Sequence, residues 1–205
     1  MNHKVNSVQN LYEDAVGLFN NVVTGGSSAS ADTIISNIKA GIDNLKGCWE
    51  GKDAGVQIQN LVIVHNGMVE IRNVLGSLAV DSSKIASNYR NIQNANGAGL
   101  EDLGVLSCEE RAKTEDYSDD RDTVSITEEA NQGKAKIDSA NDAMDEFIGN
   151  VKSYYGRIMD NWTSGTGRDN AKEAFEKFLS NSAQYKETLN AVSNSIAQAI
   201  KNYTF

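Results

Sequence analysis

The sequence predicts an all-α protein in which two antiparallel helical hairpins pack as a four-helix bundle, with an extra N-terminal helix. The first observation is that the 205 residues include no proline, whereas average usage would give about ten. Proline breaks helix interiors, so its absence favours long helices. The second is that apolar residues recur three and four positions apart over long stretches, which is the spacing of one helix face. The third is that short stretches rich in Gly and Ser separate these runs.

The first predicted element is an N-terminal helix in residues 1–24. Its apolar positions are Val5, Val8, Tyr12, Ala15, Phe19 and Val22. The Gly- and Ser-rich residues 24–30 end it. A plain four-helix bundle has no place for a fifth helix, so we expect it either to pack along the first hairpin or to extend its first helix.

The first hairpin occupies residues 25–95. One apolar run leads to Trp49, and a second runs from Leu61 to Ile92. Their members are Ile35, Ile38, Ile42, Leu45 and Trp49, then Leu61, Val64, Met68, Ile71, Leu75, Leu78, Ser82, Ile85, Tyr89 and Ile92. The turn between them is residues 47–55, which include three glycines. A short turn between two long helices forces them to run antiparallel.

An acidic connector follows in residues 96–122. Residues 100–130 have a net charge of −8, nearly the whole formal charge of −9. Such a stretch resists burial, so we expect residues 100–122 to be solvated and loosely packed. The alternation of Asp116, Ser118 and Asp120 is similar to the start of a calcium-binding loop. Arg121 stands where that loop needs Gly and Thr127 where it needs Glu, so we exclude it.

The second hairpin occupies residues 123–205. Its seams are Ile126, Ala130, Gly133, Ile137, Ala140, Met144, Phe147, Val151, Tyr154 and Ile158, then Ala171, Phe175, Phe178, Ser182, Tyr185, Leu189, Val192, Ile196, Ala199 and Tyr203. Ser125 and Glu128 have the spacing of a capping box for the first helix, and Asp169 is a plausible cap for the second. The Gly-rich residues 161–168 form the turn between them.

The apolar seams predict how the two hairpins associate. A lone hairpin leaves much of its seam in water, whereas two hairpins packed together bury it as a bundle. The alternative is that each hairpin dimerises with another chain. The sequence therefore predicts a monomeric pseudo-dimer, with a homodimer as the open alternative.

The only two tryptophans, Trp49 and Trp162, each lie at the tip of one hairpin. Each follows a helix and precedes, within a few residues, a glycine and another helix, which indicates an internal duplication. One interpretation is structural, because a large ring can cover the open end of a seam. The other is that each turn is a small recognition surface, because a partly exposed indole suits a contact residue. Both can hold together.

The turns resemble those of the WXG family, small helical hairpins handled by the type VII secretion system of Gram-positive and mycobacterial cells. Trp49, Glu50 and Gly51 match the Trp-x-Gly motif outright. The second turn departs from it, because Ser164 follows Trp162 at the Gly position and Gly165 comes one residue later. These six residues are the candidate recognition residues. The resemblance covers residues 31–93 and 123–203.

The resemblance implies a non-enzymatic protein that acts through protein–protein contacts. Family members commonly pair as dimers of hairpins, and this chain looks like such a dimer fused by its connector. The implied partners are the secretion machinery or a co-secreted helical protein. The family's export signal, a Tyr followed four residues later by Asp or Glu, is missing from the sequence. The protein would then leave with a partner, use a different signal, or stay inside as a targeting chaperone.

Composition narrows the remaining function classes. The acidic balance disfavours nucleic-acid binding, and no apolar stretch reaches the roughly 20 residues of a membrane span. His3, His65, Cys48 and Cys108 have no metal-ligand spacing, so we predict no metal, no cofactor and no enzyme activity. We expect Cys48 and Cys108 to be ordinary thiols, with a disulfide as the alternative.

Two hypotheses on localisation and role stay open. The N-terminus lacks a secretory signal peptide, so the protein is secreted or cell-surface by a signal-peptide-independent route, or else cytoplasmic. The alternative function is a structural helical scaffold or oligomerisation module unrelated to export.

Overall fold

A computed structural model describes residues 5–203, apart from the side chain of residue 166, so His3 lies outside the described residues. The chain is mostly helical, which confirms the all-α class. The helices are α1 (Val8–Leu18), continued by one π-helical turn (Phe19–Val23), then α2 (Ala31–Cys48), α3 (Lys52–Ala95), α4 (Ala130–Asn161) and α5 (Thr166–Tyr203). Two short antiparallel strands, β1 (Trp49–Glu50) and β2 (Ser125–Ile126), pair with each other.

Serine caps begin the first two helices. The Ser7 hydroxyl accepts a hydrogen bond from the N–H of Asn10 at 3.2 Å, and the Ser30 hydroxyl accepts one from Thr33 at 3.2 Å. Such caps satisfy backbone donors that have no partner within the helix. The Gly- and Ser-rich residues 24–30 therefore separate α1 from α2 as predicted.

The N-terminal helix lies in line with α2 along α3. Arg90, near the C-terminal end of α3, donates to Gln9 of α1 at 2.8 Å. Arg72, two-fifths of the way along α3, donates to Asp32 of α2 at 2.9 Å. Since both helices run antiparallel to α3, α1 and α2 act as two pieces of one interrupted arm.

The same two pieces follow one another along α4. The ring of Tyr154 lies against Gly17 of α1, and Ile137 lies against Gly41 of α2. The N-terminal helix thus contacts the second hairpin as well as the first. The helix lies along the first hairpin, in line with α2, which agrees with the expectation; its contact with α4 was not part of that expectation.

The four long helices contact one another in a ring. Helix α2 packs against α3 and α4, and α5 packs against the same two helices. Between α4 and α5, Phe147 and Phe178 meet edge to face at 5.7 Å, and Lys186 pairs with Asp145 at 2.6 Å. These contacts place the predicted seams inside the molecule.

Most seam positions are buried, but Ile92, the last of the first hairpin, is 58% exposed. All those of the second hairpin are below 10% exposed except its three tyrosines. Tyr154 and Tyr185 are half-buried, and Tyr203 is 48% exposed. The seam therefore ends before the last residues of α5.

Both predicted caps of the second hairpin are wrong. Ser125 lies in β2, where its hydroxyl donates to the Glu50 carboxylate at 3.3 Å, and α4 begins only at Ala130. Helix α5 begins at Thr166, so Asp169 lies inside its first turn. A carboxylate there still interacts favourably with the helix dipole.

The acidic connector is not loosely packed but runs antiparallel along α3. Gln59, Asn66 and Asn73, which we call the amide ladder, bind successive points on its backbone. Asn66 binds both the N–H and the C=O of Thr114 at 2.8 Å. Asn73 binds those of Arg111 at 2.9 Å in the same way.

The spacing of the amide ladder matches an extended chain. The Gln59 side-chain carbonyl accepts from the N–H of Tyr117 at 2.7 Å. From one amide of the ladder to the next, the helix therefore advances by seven residues while the connector advances by three. Seven helical residues rise about 10.5 Å, and three extended residues span about 10 Å. The polar side chains of α3 can therefore follow the connector without strain.

Further contacts bind the connector nearer the end of α3. Arg90 donates to the Glu101 carbonyl at 2.5 Å, and Ser87 donates to that of Leu103 at 2.8 Å. Most connector side chains are nonetheless exposed. The acidic side chains of the connector stay hydrated while α3 binds its backbone. A strongly charged segment can therefore dock on the helix without burying its charges.

Two general features complete the fold. No helix in residues 5–203 is long and apolar enough to cross a membrane. Cys48 and Cys108 are both free thiols, so the disulfide alternative is wrong for this structure.

We predict that replacing Asn73 by Ala accelerates amide hydrogen exchange at Arg111 several-fold or more. The substitution removes two hydrogen bonds to the connector, each contributing about 0.5–1.5 kcal/mol. Hydrogen exchange read by NMR measures the effect. Replacing Asn91, which is exposed on the same helix, is the matched control. Equal protection in both variants would show that the amide ladder does not hold the connector.

Candidate functional site

The two tryptophan turns lie at opposite ends of the molecule and begin alike. The backbone N–H of Trp49 bonds to the carbonyl of Leu45 as α2 ends, and that of Trp162 bonds to Ile158 at 2.8 Å as α4 ends. Both tryptophans then leave the helix in an extended conformation. The duplication inferred from the sequence is thus repeated in the backbone.

Both indole rings are inside the molecule. Trp49 is 2% exposed and Trp162 is 1% exposed. Buried rings fill the ends of the seam, as the structural interpretation predicts. The partial exposure expected of a contact residue is not seen at either ring, so any recognition at these turns uses other groups.

Each turn is completed by a segment from the opposite half of the chain, the first by the residues before α4 and the second by the residues before α1. Trp49 pairs with Ile126 of β2, and the N–H of Thr127 donates to the Cys48 carbonyl at 3.1 Å. This segment leads directly into α4.

At the other end, Val5 forms an antiparallel bridge with Trp162. The N–H of Asn6 donates to the Asn161 carbonyl at 3.0 Å, and this segment leads directly into α1. In both turns the acceptor is the carbonyl of the residue before Trp. The two halves of the chain thus complete one another's turns in the same way, as the two subunits of a two-fold dimer would.

Glycine geometry explains why the second turn departs from Trp-x-Gly. Gly51 has φ 110° and Gly165 has φ 137°, values that favour glycine. The second turn is one residue longer, so Gly165 takes the role of Gly51. The additional residue, Ser164, accepts a hydrogen bond from the Trp162 indole at 2.6 Å. The Trp49 indole N–H has no hydrogen-bond partner among the described residues.

The connector covers the first turn through a buried carboxylate. Asp119 accepts from the N–H of Gly51 at 2.9 Å and pairs with Arg121 at 2.7 Å. Arg121 also pairs with Glu50 at 2.6 Å. These bonds, with Arg121 the largest cause, hold the pKa of Asp119 well below its usual range. Gly55 makes room, because a Cβ there would lie 2.7 Å from the Asp119 nitrogen.

The second turn is more open. Thr163 is exposed and Ser164 and Gly165 are partly exposed, whereas Gly51 is buried. The structure therefore separates the six predicted residues into two groups. Trp49, Glu50, Gly51 and Trp162 are engaged within the chain, whereas Ser164 and Gly165, with their neighbour Thr163, present a surface.

The groups that complete the turns are not apparent from the sequence. Asp119 and Arg121 lie in an acidic run that indicates a solvated connector, and Val5 belongs to the apolar pattern of a helix that begins only at Val8. The available signal was Gly55, a glycine inside a helix, which indicates close approach of another backbone. Nothing in the sequence identified what approaches it.

The other titratable candidates are ordinary buried groups. Burial lowers the pKa of His65, which lies next to Asn66, and burial raises the pKa of Cys48. In the described part of the chain, no three His, Cys, Asp or Glu side chains are placed to share a metal ion.

No family model, curated protein or solved structure matches this chain. The resemblance to the WXG family therefore rests on the residues of the two turns. The reciprocal pairing of those turns is an independent property of the structure.

We predict that Trp162→Phe lowers the free energy of unfolding by about 1 kcal/mol more than Trp49→Phe. Both lose similar ring volume, but only Trp162 loses an indole hydrogen bond, and removing an unsatisfied donor at Trp49 offsets its loss. Urea denaturation of both variants measures the difference. Equal losses would mean that the two indole N–H groups have equivalent environments.

We predict that Asp119→Asn makes the free energy of unfolding less sensitive to acid pH. A carboxyl whose folded pKa is lowered stabilises the protein fully above about pH 5, and this contribution declines as the pH falls from the unfolded pKa near 4 towards the lower folded pKa. The wild type should lose more stability between pH 5 and pH 3 than the variant, measured by denaturation at each pH. Asp120→Asn, an exposed neighbour, should behave as wild type.

Proposed function

We propose that the chain is a tandem WXG-type protein associated with type VII secretion, which acts through protein–protein contacts and not by catalysis. It would be an exported effector, or a partner that carries another substrate to the machinery. In this proposal the two hairpins form a four-helix bundle that replaces a two-chain dimer. The proposed location is outside the cell or at its surface, with the cytoplasm as the alternative.

The reciprocal completion of the two turns is the observation that supports this proposal best. In a dimer of separate hairpins, the segment before one hairpin would have to reach the tip of the other. Here β2 reaches Trp49 and Val5 reaches Trp162. A fused dimer accounts for both contacts with one arrangement.

Exposure favours the second turn as the place where a partner binds. The connector and Arg121 occupy the first turn, whereas Thr163 is exposed at the second. A partner that recognises a Trp turn would therefore meet residues 163–165.

The buried rings favour a second candidate, a structural helical scaffold unrelated to export. Trp49 and Trp162 would then only close the ends of the core. The two candidates differ in whether a partner depends on the open turn.

A secretion assay tests the proposal. We expect the protein in culture medium or cell envelope of the encoding bacterium, and its loss there in a strain without the system's membrane ATPase. If the amount of the protein outside the cell is unchanged in that strain and no partner co-purifies with it, the export role is wrong.

A pair of variants separates export from scaffold. Thr163→Lys places a charge at the open turn, and Thr123→Lys places the same charge at an exposed position beside the covered turn. We expect only Thr163→Lys to reduce secretion or co-purification, at unchanged melting temperature. Equal behaviour of the two would favour the scaffold.

A further inference from the structure

The connector binds α3 mainly through its main chain. Asn66 and Asn73 of the amide ladder each bind the N–H and C=O of one connector residue. Arg90 and Ser87 bind connector carbonyls. Main-chain contacts of this kind do not depend on which copy of a chain supplies the extended segment.

The side-chain contacts, in contrast, are matched to the connector's own sequence. A Cβ at Gly76 would lie 2.5 Å from the Cys108 sulfur, so the glycine leaves room for the thiol in the position it takes here. The Lys46 ammonium lies 4.8 Å from the centre of the Tyr117 ring. A second copy of this chain is therefore the partner that would supply every contact.

Two buried arginines take part in the docking. Arg72 and Arg90 of α3 are 6% and 7% exposed, and both donate to connector carbonyls. Asp32 of α2 pairs both with Arg72 at 2.9 Å and with Arg111 of the connector at 2.7 Å, so the connector also supplies a cation that is matched to this place.

The connection between α3 and the connector is a short exposed reversal. Gly97 has φ 89° and Gly99 has φ 60°, and a Cβ at either would meet nothing within 4 Å. The Asn94 side chain closes the reversal by binding the N–H and C=O of Leu100 at 2.8 Å. Opening this reversal disturbs few other contacts.

We propose that the connector is exchanged between two copies of the chain. In the exchanged dimer, the connector of the first copy lies on α3 of the second copy. Helices α4 and α5 of the first copy then pack against α2 and α3 of the second. Each contact of the monomer is re-formed between copies, and only residues 96–99 change conformation. This goes beyond the proposed export role and does not depend on it.

A designed cross-link reports which copy supplies the connector. A Cβ at residue 76 would lie 3.4 Å from the Cys108 Cβ, close to the usual separation in a disulfide of about 3.5–4.5 Å. Gly76→Cys should therefore join Cys108 within one chain in the monomer and between chains in the exchanged dimer. Non-reducing gels of protein refolded at low and at high concentration distinguish the two.

We expect a covalent dimer that grows with refolding concentration and disappears in Gly76→Cys combined with Cys108→Ser. A covalent monomer at every concentration would overturn the proposal. So would a dimer by light scattering whose cross-link stays within each chain.

Hinge variants provide a test that does not need the cross-link. Valine at both Gly97 and Gly99 disfavours positive φ, whereas asparagine tolerates it. Light scattering should give an association constant for dimerisation that is roughly tenfold or more higher for the double valine variant than for the double asparagine variant. Equal constants, or monomers throughout, would contradict exchange through this reversal.

Discussion

The need to satisfy the carbonyls at two helix ends organises this molecule. A helix that stops leaves backbone acceptors without partners, and at the tips of both hairpins those ends are buried beside a tryptophan. Thr127 and Asn6 supply the missing donors to the residues before Trp49 and Trp162. Because Thr127 precedes α4 and Asn6 precedes α1, each tip is completed by a segment from the opposite half of the chain. These bonds fix how the arm formed by α1 and α2 is aligned with α4.

The length of α3 provides the surface on which the connector lies. This 44-residue helix is longer than α2, and its polar face lies in the groove beside α1 and α2. The connector's charged side chains stay in water, while its backbone and its few apolar side chains pack there, namely Leu103, Leu106, Cys108 and Tyr117. The amide ladder binds peptide groups while the carboxylates point to water, apart from Asp119, which is buried at the N-terminal end of α3. A highly acidic segment thereby becomes part of the fold.

The sequence predicted what depends on local periodicity and missed what depends on long-range backbone contacts. The seams from Ala130 to Ile158 and from Ala171 to Ala199 were predicted because apolar spacing reports a buried face. The contact of α1 with α4, and the docking of residues 96–122, could not be predicted, because contacts between distant parts of the chain and hydrogen bonds to main-chain atoms leave little trace in residue type. The failed capping box at Ser125 has the same cause, since a strand partner 75 residues away outcompeted a local cap.

The bridge between Val5 and Trp162 has a consequence for the order of folding. Contacts between distant parts of a chain must wait for the intervening loop to close. On the ribosome, the segment before α1 emerges early, yet its partner turn emerges only after most of the chain has been made. The first arm therefore waits with its leading end unpaired until α4 is complete, and a prematurely terminated product would expose that end together with the seam of the first hairpin.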